Sequence, residues 1–201
     1  ICIGPDSQLL RDRLDSLLAP DTDKRKSHVS GQPGPMTGAF SAPPSSWQRF
    51  VFWADEGLTA SFWEHLTLQG LFASPKALIL RNAQLLPADA LKQLSPVLSA
   101  MAAGRGSSLA WPLLCFEVAF DKGKAKIPVH ISRLPFWQTA EQKGWIEEIP
   151  GLTSQSVPAY IRTEAARNGI AASQQDLQRL AQALPPDAAL IYAELAKLAL
   201  C

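Results

Sequence analysis

The stretch LTLQGLFASPKALIL, Leu66–Leu80, changes its pattern halfway. Up to it, Leu58, Phe62 and Leu66 recur at helical spacing, with Trp63 and Gly70 on the flank of the stripe. After Ser74-Pro75 comes Lys76–Leu80, a continuous apolar run bounded by proline and by Arg81-Asn82, as in a buried parallel strand. Leu71 and Phe72 lie between the two, directly after Gly70. At about 3.6 residues per turn, Leu71 falls roughly 140° from Leu66 and cannot share the helix's core stripe. Burying a leucine and a phenylalanine is worth roughly 1.5–3 kcal/mol each. A chain that exposes both is expected to use them on a partner. Spacing leaves two readings open: the pair folds back over the sheet edge, or it is held out for a partner.

The alternation of helix and strand extends in both directions. Ile1–Ile3 followed by Gly-Pro-Asp reads as a strand end and turn, and Leu9, Leu10, Leu14, Leu17 and Leu18 give a helix over 7–18. Gln48–Ala54 is aromatic and β-branched and predicts a strand; Thr59 then offers an N-cap. Pro87 opens a helix carrying Leu91, Leu94, Val97, Leu98 and Met101, ending near Gly104. Leu113–Phe120 and Trp145–Ile149 read as further strands, with a turn at Asp121-Lys122-Gly123-Lys124. This order predicts an α/β layer with a mainly parallel sheet. Residues 19–46 are rich in Gly, Pro and Ser without an apolar period, which predicts a flexible insertion loop over 20–46.

The character changes after Pro150. Three helical patterns follow without a strand: 157–167, stopped by Asn168-Gly169; a second from Ser173 as N-cap; a third from Asp187 after Pro185-Pro186. The links are short, so a compact three-helix unit is expected over 153–201, after an α/β domain over 1–152.

The 201 residues are 47% hydrophobic with a formal net charge of +1, which argues against a nucleic-acid binder held by bulk charge. Cys2, Cys115 and Cys201 form no C-x-x-C pair, so neither zinc nor a disulfide framework is supported, and inert thiols in a reducing, cytoplasmic setting are expected. No run nears the about 18 apolar residues of a membrane span, and the start lacks signal-peptide character. The chain opens without methionine and stops inside a helical pattern, so it is expected to be part of a longer protein.

A phosphate-cradling loop needs glycines for close backbone approach and a lysine to neutralise charge. Counted from Gly4, those places hold Leu9 and Leu10, and no other stretch fits. Asp55-Glu56 ends a strand as in Mg²⁺-binding ATPases; a carboxylate pair favoured by the next helix's N-terminus is the simpler reading. His28, His65 and His130 are isolated, and no G-x-S-x-G elbow occurs. The residues point away from an enzyme, a metal site or a bound cofactor. Lys24-Arg25-Lys26 reads as a solvated loop, while Lys122, Lys124 and Lys126 alternate around a turn and are candidate DNA contacts.

Gly70-Leu71-Phe72-Ala73-Ser74 followed by KALILRNAQLL resembles the delta subunit family of bacterial DNA polymerase III, the clamp-loader wrench. The degenerate loop GPDSQLL, the segment WADEGLTASFWEHL and the last helix, with Glu194-Leu195-Ala196-Lys197-Leu198, are similar to that family as well. The resemblance implies an AAA+/RecA-like domain lacking a functional P-loop, then a helical lid, with a C-terminal collar domain absent from this chain. It implies that Leu71 and Phe72 wedge into a pocket on the beta sliding clamp, that gamma/tau and delta prime subunits are partners, and that DNA is met within the assembled complex. ATP hydrolysis would be left to the partner subunits. Two rivals stand beside it: an active AAA-type ATPase, and a DNA-binding α/β adaptor acting through the three lysines.

Overall fold

The structure, a computed structural model, describes residues 1–19, 47–68, 74–104, 109–121 and 123–200. The expected insertion loop at 20–46 lies outside them. In chain order the elements are β1 (Cys2–Gly4), α1 (Ser7–Leu17), β2 (Gln48–Trp53), α2 (Ala60–Thr67), β3 (Lys76–Arg81), α3 (Ala88–Ala102) and β4 (Ala110–Glu117). A hairpin of β5 (Phe120–Asp121) and β6 (Lys124–Ala125) follows, then α4 (Val129–Ser132), α5 (Pro135–Gln142) and β7 (Glu147–Glu148). The chain closes with α6 (Val157–Arg167), α7 (Gln174–Ala183) and α8 (Ala188–Leu198).

Five strands form one sheet in the order β2-β3-β4-β1-β7, every neighbouring pair parallel. This is the α/β layer that the alternating pattern predicts, and its order is compatible with a Rossmann- or RecA-like core. The continuous apolar run of β3 follows from burial on both faces. Ala77 and Ile79 join Leu10, Leu14 and Leu18 with Cys2, Leu113 and Cys115. Leu78 and Leu80 join Phe62 and Leu66 of α2, Leu91, Leu94 and Leu98 of α3, and Phe136 and Trp137 of α5. Because side chains alternate along a strand, β3 feeds two cores with four successive residues, Ala77–Leu80.

The fourth strand differs from expectation. It begins at Ala110, three residues before Leu113, and ends at Glu117. Pro112 pairs with Leu78 of β3, but β1 meets this strand only from Cys115 onward. At Pro112 the strand is therefore locally an edge, where a missing N–H costs no ladder bond. Phe120 belongs instead to the hairpin, closed by Lys126 N–H donating to Ala119 O at 3.0 Å. Residues 129–142, which carry no long apolar period, hold α4 and α5, each started by a proline at or just before its first residue.

Helices α6, α7 and α8 share a core of Val157, Ile161, Ala165, Ile191 and Leu195, with Leu177 and Leu180 packed against it. The expected caps are present: Thr59 Oγ1 accepts from Phe62 N, Ser173 Oγ from Asp176 N, and Asp187 Oδ1 from Leu190 N. Helix α8 packs on α1, which joins the three helices to the sheet. Among the described residues no helix is long and apolar enough to cross a membrane.

Candidate functional site

In an open parallel sheet, ligands settle outside the carboxyl ends of the strands where the chain's direction of travel reverses. The chain leaves β1 toward β2 and leaves β4 toward β7, so that point lies between β1 and β4. Its walls are Gly4-Pro5-Asp6-Ser7 after β1, Arg81-Asn82 after β3, and Glu117 at the end of β4. Gly4 is there for close approach: a Cβ would stand 3.2 Å from Ile149 O and 3.3 Å from Leu10 Cγ.

The crevice is filled by the chain's own charged groups. Arg81, 8% exposed, donates to Glu117 Oε1 from Nε at 3.0 Å and from Nη2 at 2.5 Å, and Nη2 also reaches Ser7 O at 3.2 Å. The Trp53 ring lies 5.6 Å from the guanidinium carbon. Asn82 has φ 53°, a left-handed conformation that asparagine tolerates better than most residues, and the turn it makes leads into Ala83–Leu85. There Gln84 Oε1 accepts from Glu117 N at 3.0 Å.

A second carboxylate occupies the start of α1. Asp6 Oδ1 accepts from Gln8 N at 2.7 Å and Leu9 N at 3.3 Å, so the helix N-terminus that could receive a phosphate already holds an anion. Asp55 and Glu56 sit beyond β2, the edge strand on the far side of β3 and β4 from β1. They close a short 3₁₀ turn, Ala54–Glu56, away from the crevice.

The candidate partner-binding pair, Leu71 and Phe72, lies outside the described residues, as does Lys122. What flanks the pair is described. The core stripe of α2 is buried, Phe62 and Leu66 being 1% and 2% exposed. Leu68 then emerges 64% exposed, and beyond the gap Pro75 O accepts Gln48 N at 3.0 Å as β3 begins. These flanks lie at the amino end of β3, opposite the crevice. Lys124 and Lys126 are both exposed on the hairpin, and Lys126 Nζ stands 3.4 Å from Asp121 Oδ2. His65 stacks on Phe50 with ring centroids 3.9 Å apart, and His130 is exposed on α4.

Cys2 and Cys115 face each other across β1 and β4, both buried. Burial raises both thiols, and Cys115, beside Cys2, is pushed up to about 12. At pH 8 about one Cys115 in ten thousand is then thiolate, the nucleophilic form. Iodoacetamide at pH 8 is expected to leave both thiols unmodified in the folded chain and to modify them in urea; rapid native labelling by mass spectrometry would contradict their placement.

Reasoning from the sequence missed the crevice residues Arg81 and Glu117 and the anion Asp6. Asp6 had a readable signal, an aspartate directly before a helical run. Arg81 and Glu117 end two strands 36 residues apart, and only the sheet brings them together. Comparison with protein-family models gives no match, and comparison with curated proteins gives none either.

Proposed function

We propose that this chain is the sheet-and-lid part of a clamp-loader subunit of the bacterial DNA polymerase III delta type, binding the beta sliding clamp through Leu71 and Phe72. The observation that carries it is the Gly70-Leu71-Phe72-Ala73-Ser74 sequence, placed between a helix whose stripe residues Phe62 and Leu66 are buried and the buried strand β3. Two apolar side chains that spacing sets off the helix's stripe suit a wedge for a partner's pocket. The strand order and the three closing helices fit an AAA+ domain with a lid, the architecture this reading requires.

The crevice supports a subunit that leaves ATP hydrolysis to others. A magnesium nucleotide needs free carboxylates for the metal and free N–H groups for the phosphates. Here Asp6 and Glu117 are both engaged by donors of the chain itself. Clamp opening would follow from differential affinity: a wedge that binds the opened interface better than the closed one shifts the ring toward opening by that difference. Lys122, Lys124 and Lys126 would meet DNA only within the assembled loader, beside the gamma/tau and delta prime subunits in the cytoplasm.

Retention of the chain on an immobilised bacterial sliding clamp tests the reading. Binding at micromolar concentration is expected, without ATP. A chain that ignores the clamp but binds ATP in a calorimeter would establish the ATPase alternative. One that ignores the clamp but binds duplex DNA with steep salt dependence would establish the adaptor.

A further inference from the structure

The two oxygens of Asp6 serve two helices that lie 182 residues apart in sequence. Oδ1 caps α1 through Gln8 N and Leu9 N, while Oδ2 accepts from Ala188 N, the first residue of α8, at 3.1 Å. Ala188 is fully buried, and the cap residue Asp187 directs its own Oδ1 to Leu190 N. A buried N–H needs an acceptor, so this bond is an obligation of the fold rather than an ornament. Both helices also point their positive ends at one carboxylate.

Nearly two turns farther along α1, Asp12 makes a second tie to the same unit. Tyr160 Oη of α6 donates to Asp12 Oδ2 at 2.8 Å, Arg167 Nη1 stands 3.6 Å from Asp12 Oδ1, and Gln8 Nε2 donates to Oδ1 at 2.8 Å. Burial and the bond to Asp12 push the Tyr160 hydroxyl well above its ordinary range, so it remains a donor through neutral pH. Arg167 also donates to Glu164, at 2.6 Å, and thereby links both carboxylates. Glu164 is 1% exposed, and burial raises its carboxyl above the ordinary range.

We infer that Asp6 is an internal anion that locks the three-helix unit onto the crevice end of the sheet, with the Asp12–Tyr160 bond as a second latch. The carboxylate stands between two helix N-termini where a dissolved anion would otherwise be drawn. The angle between the two units is therefore set by the chain itself, and the pair moves as one rigid arm whatever partner it serves. The inference does not depend on the clamp reading.

Asp6→Asn separates the two duties of the side chain. Asparagine caps a helix as well as aspartate does, so its oxygen keeps α1 capped, while its NH₂ faces the N–H of Ala188, donor against donor. Hydrogen exchange of the whole chain, read by mass spectrometry, should accelerate tenfold or more over 188–195 and over 157–167, with 7–17 unchanged. Wild-type rates over 188–195, or an equal acceleration over 7–17, would overturn the lock and leave Asp6 an ordinary cap. If Asp6→Asn does not fold, Tyr160→Phe tests the second latch without touching either cap. It should speed exchange over 157–167 about threefold, and no change there would overturn the two-point docking.

Discussion

Glu117→Ala should lower the chain's unfolding free energy by roughly 3–5 kcal/mol, a large part of the 5–15 kcal/mol that a domain has in total. The substitution removes the only carboxylate, among the described residues, bonded to a guanidinium that is 8% exposed. Arg81 is then left with Ser7 O and the face of Trp53, neither of which neutralises a buried charge. Gln84 Oε1 keeps its bond to the residue 117 amide, so the loss is electrostatic and not a general collapse of the turn. Urea unfolding should show a lower midpoint with an unchanged slope, and heating should show melting about 10 °C lower. Replacing both partners by apolar residues, Arg81→Met with Glu117→Leu, should recover most of the loss, because no unpaired charge remains. A single variant that loses less than about 1 kcal/mol would mean that water reaches the pair as it does an exposed salt bridge.

The second large effect concerns Leu71 and Phe72, and its sign separates a core pair from a partner surface. As a wedge, the two bury side chains worth roughly 1.5–3 kcal/mol each in the partner. Leu71→Ala with Phe72→Ala should then weaken clamp binding by about 3–6 kcal/mol, roughly 10²- to 10⁴-fold. Folding should hardly notice, since Leu71 falls off the helical stripe that carries the buried Phe62 and Leu66. As core residues, the same pair of substitutions would cost the fold several kcal/mol.

The layer of the fold that local chemistry controls was legible in the sequence. Lys76–Leu80 announced a strand buried on both faces, and the caps Thr59, Ser173 and Asp187 announced helix starts, because each signal lies within a few residues of its effect. The strand order was not legible, since β1 meets β4 through contacts more than a hundred residues apart. Helices α4 and α5 escaped because four and eight residues are too few to show a period, and Pro128 and Pro135 interrupt the apolar run that contains them. The crevice was half legible. Its lack of a glycine-lysine loop could be read at Leu9 and Leu10, but the groups that fill it come from three strand ends. The bond from Ala188 to Asp6 had no local signature at all, for it spans nearly the whole chain.

The most direct test of the proposed function is to measure clamp binding and thermal melting in parallel for the wild-type chain and the Leu71→Ala, Phe72→Ala double variant. The wild type should be retained on the immobilised clamp and the variant lost, with the two melting within about 2 °C of each other. Equal retention of both chains, or a variant that melts markedly lower, would contradict a clamp-binding wedge at Leu71 and Phe72.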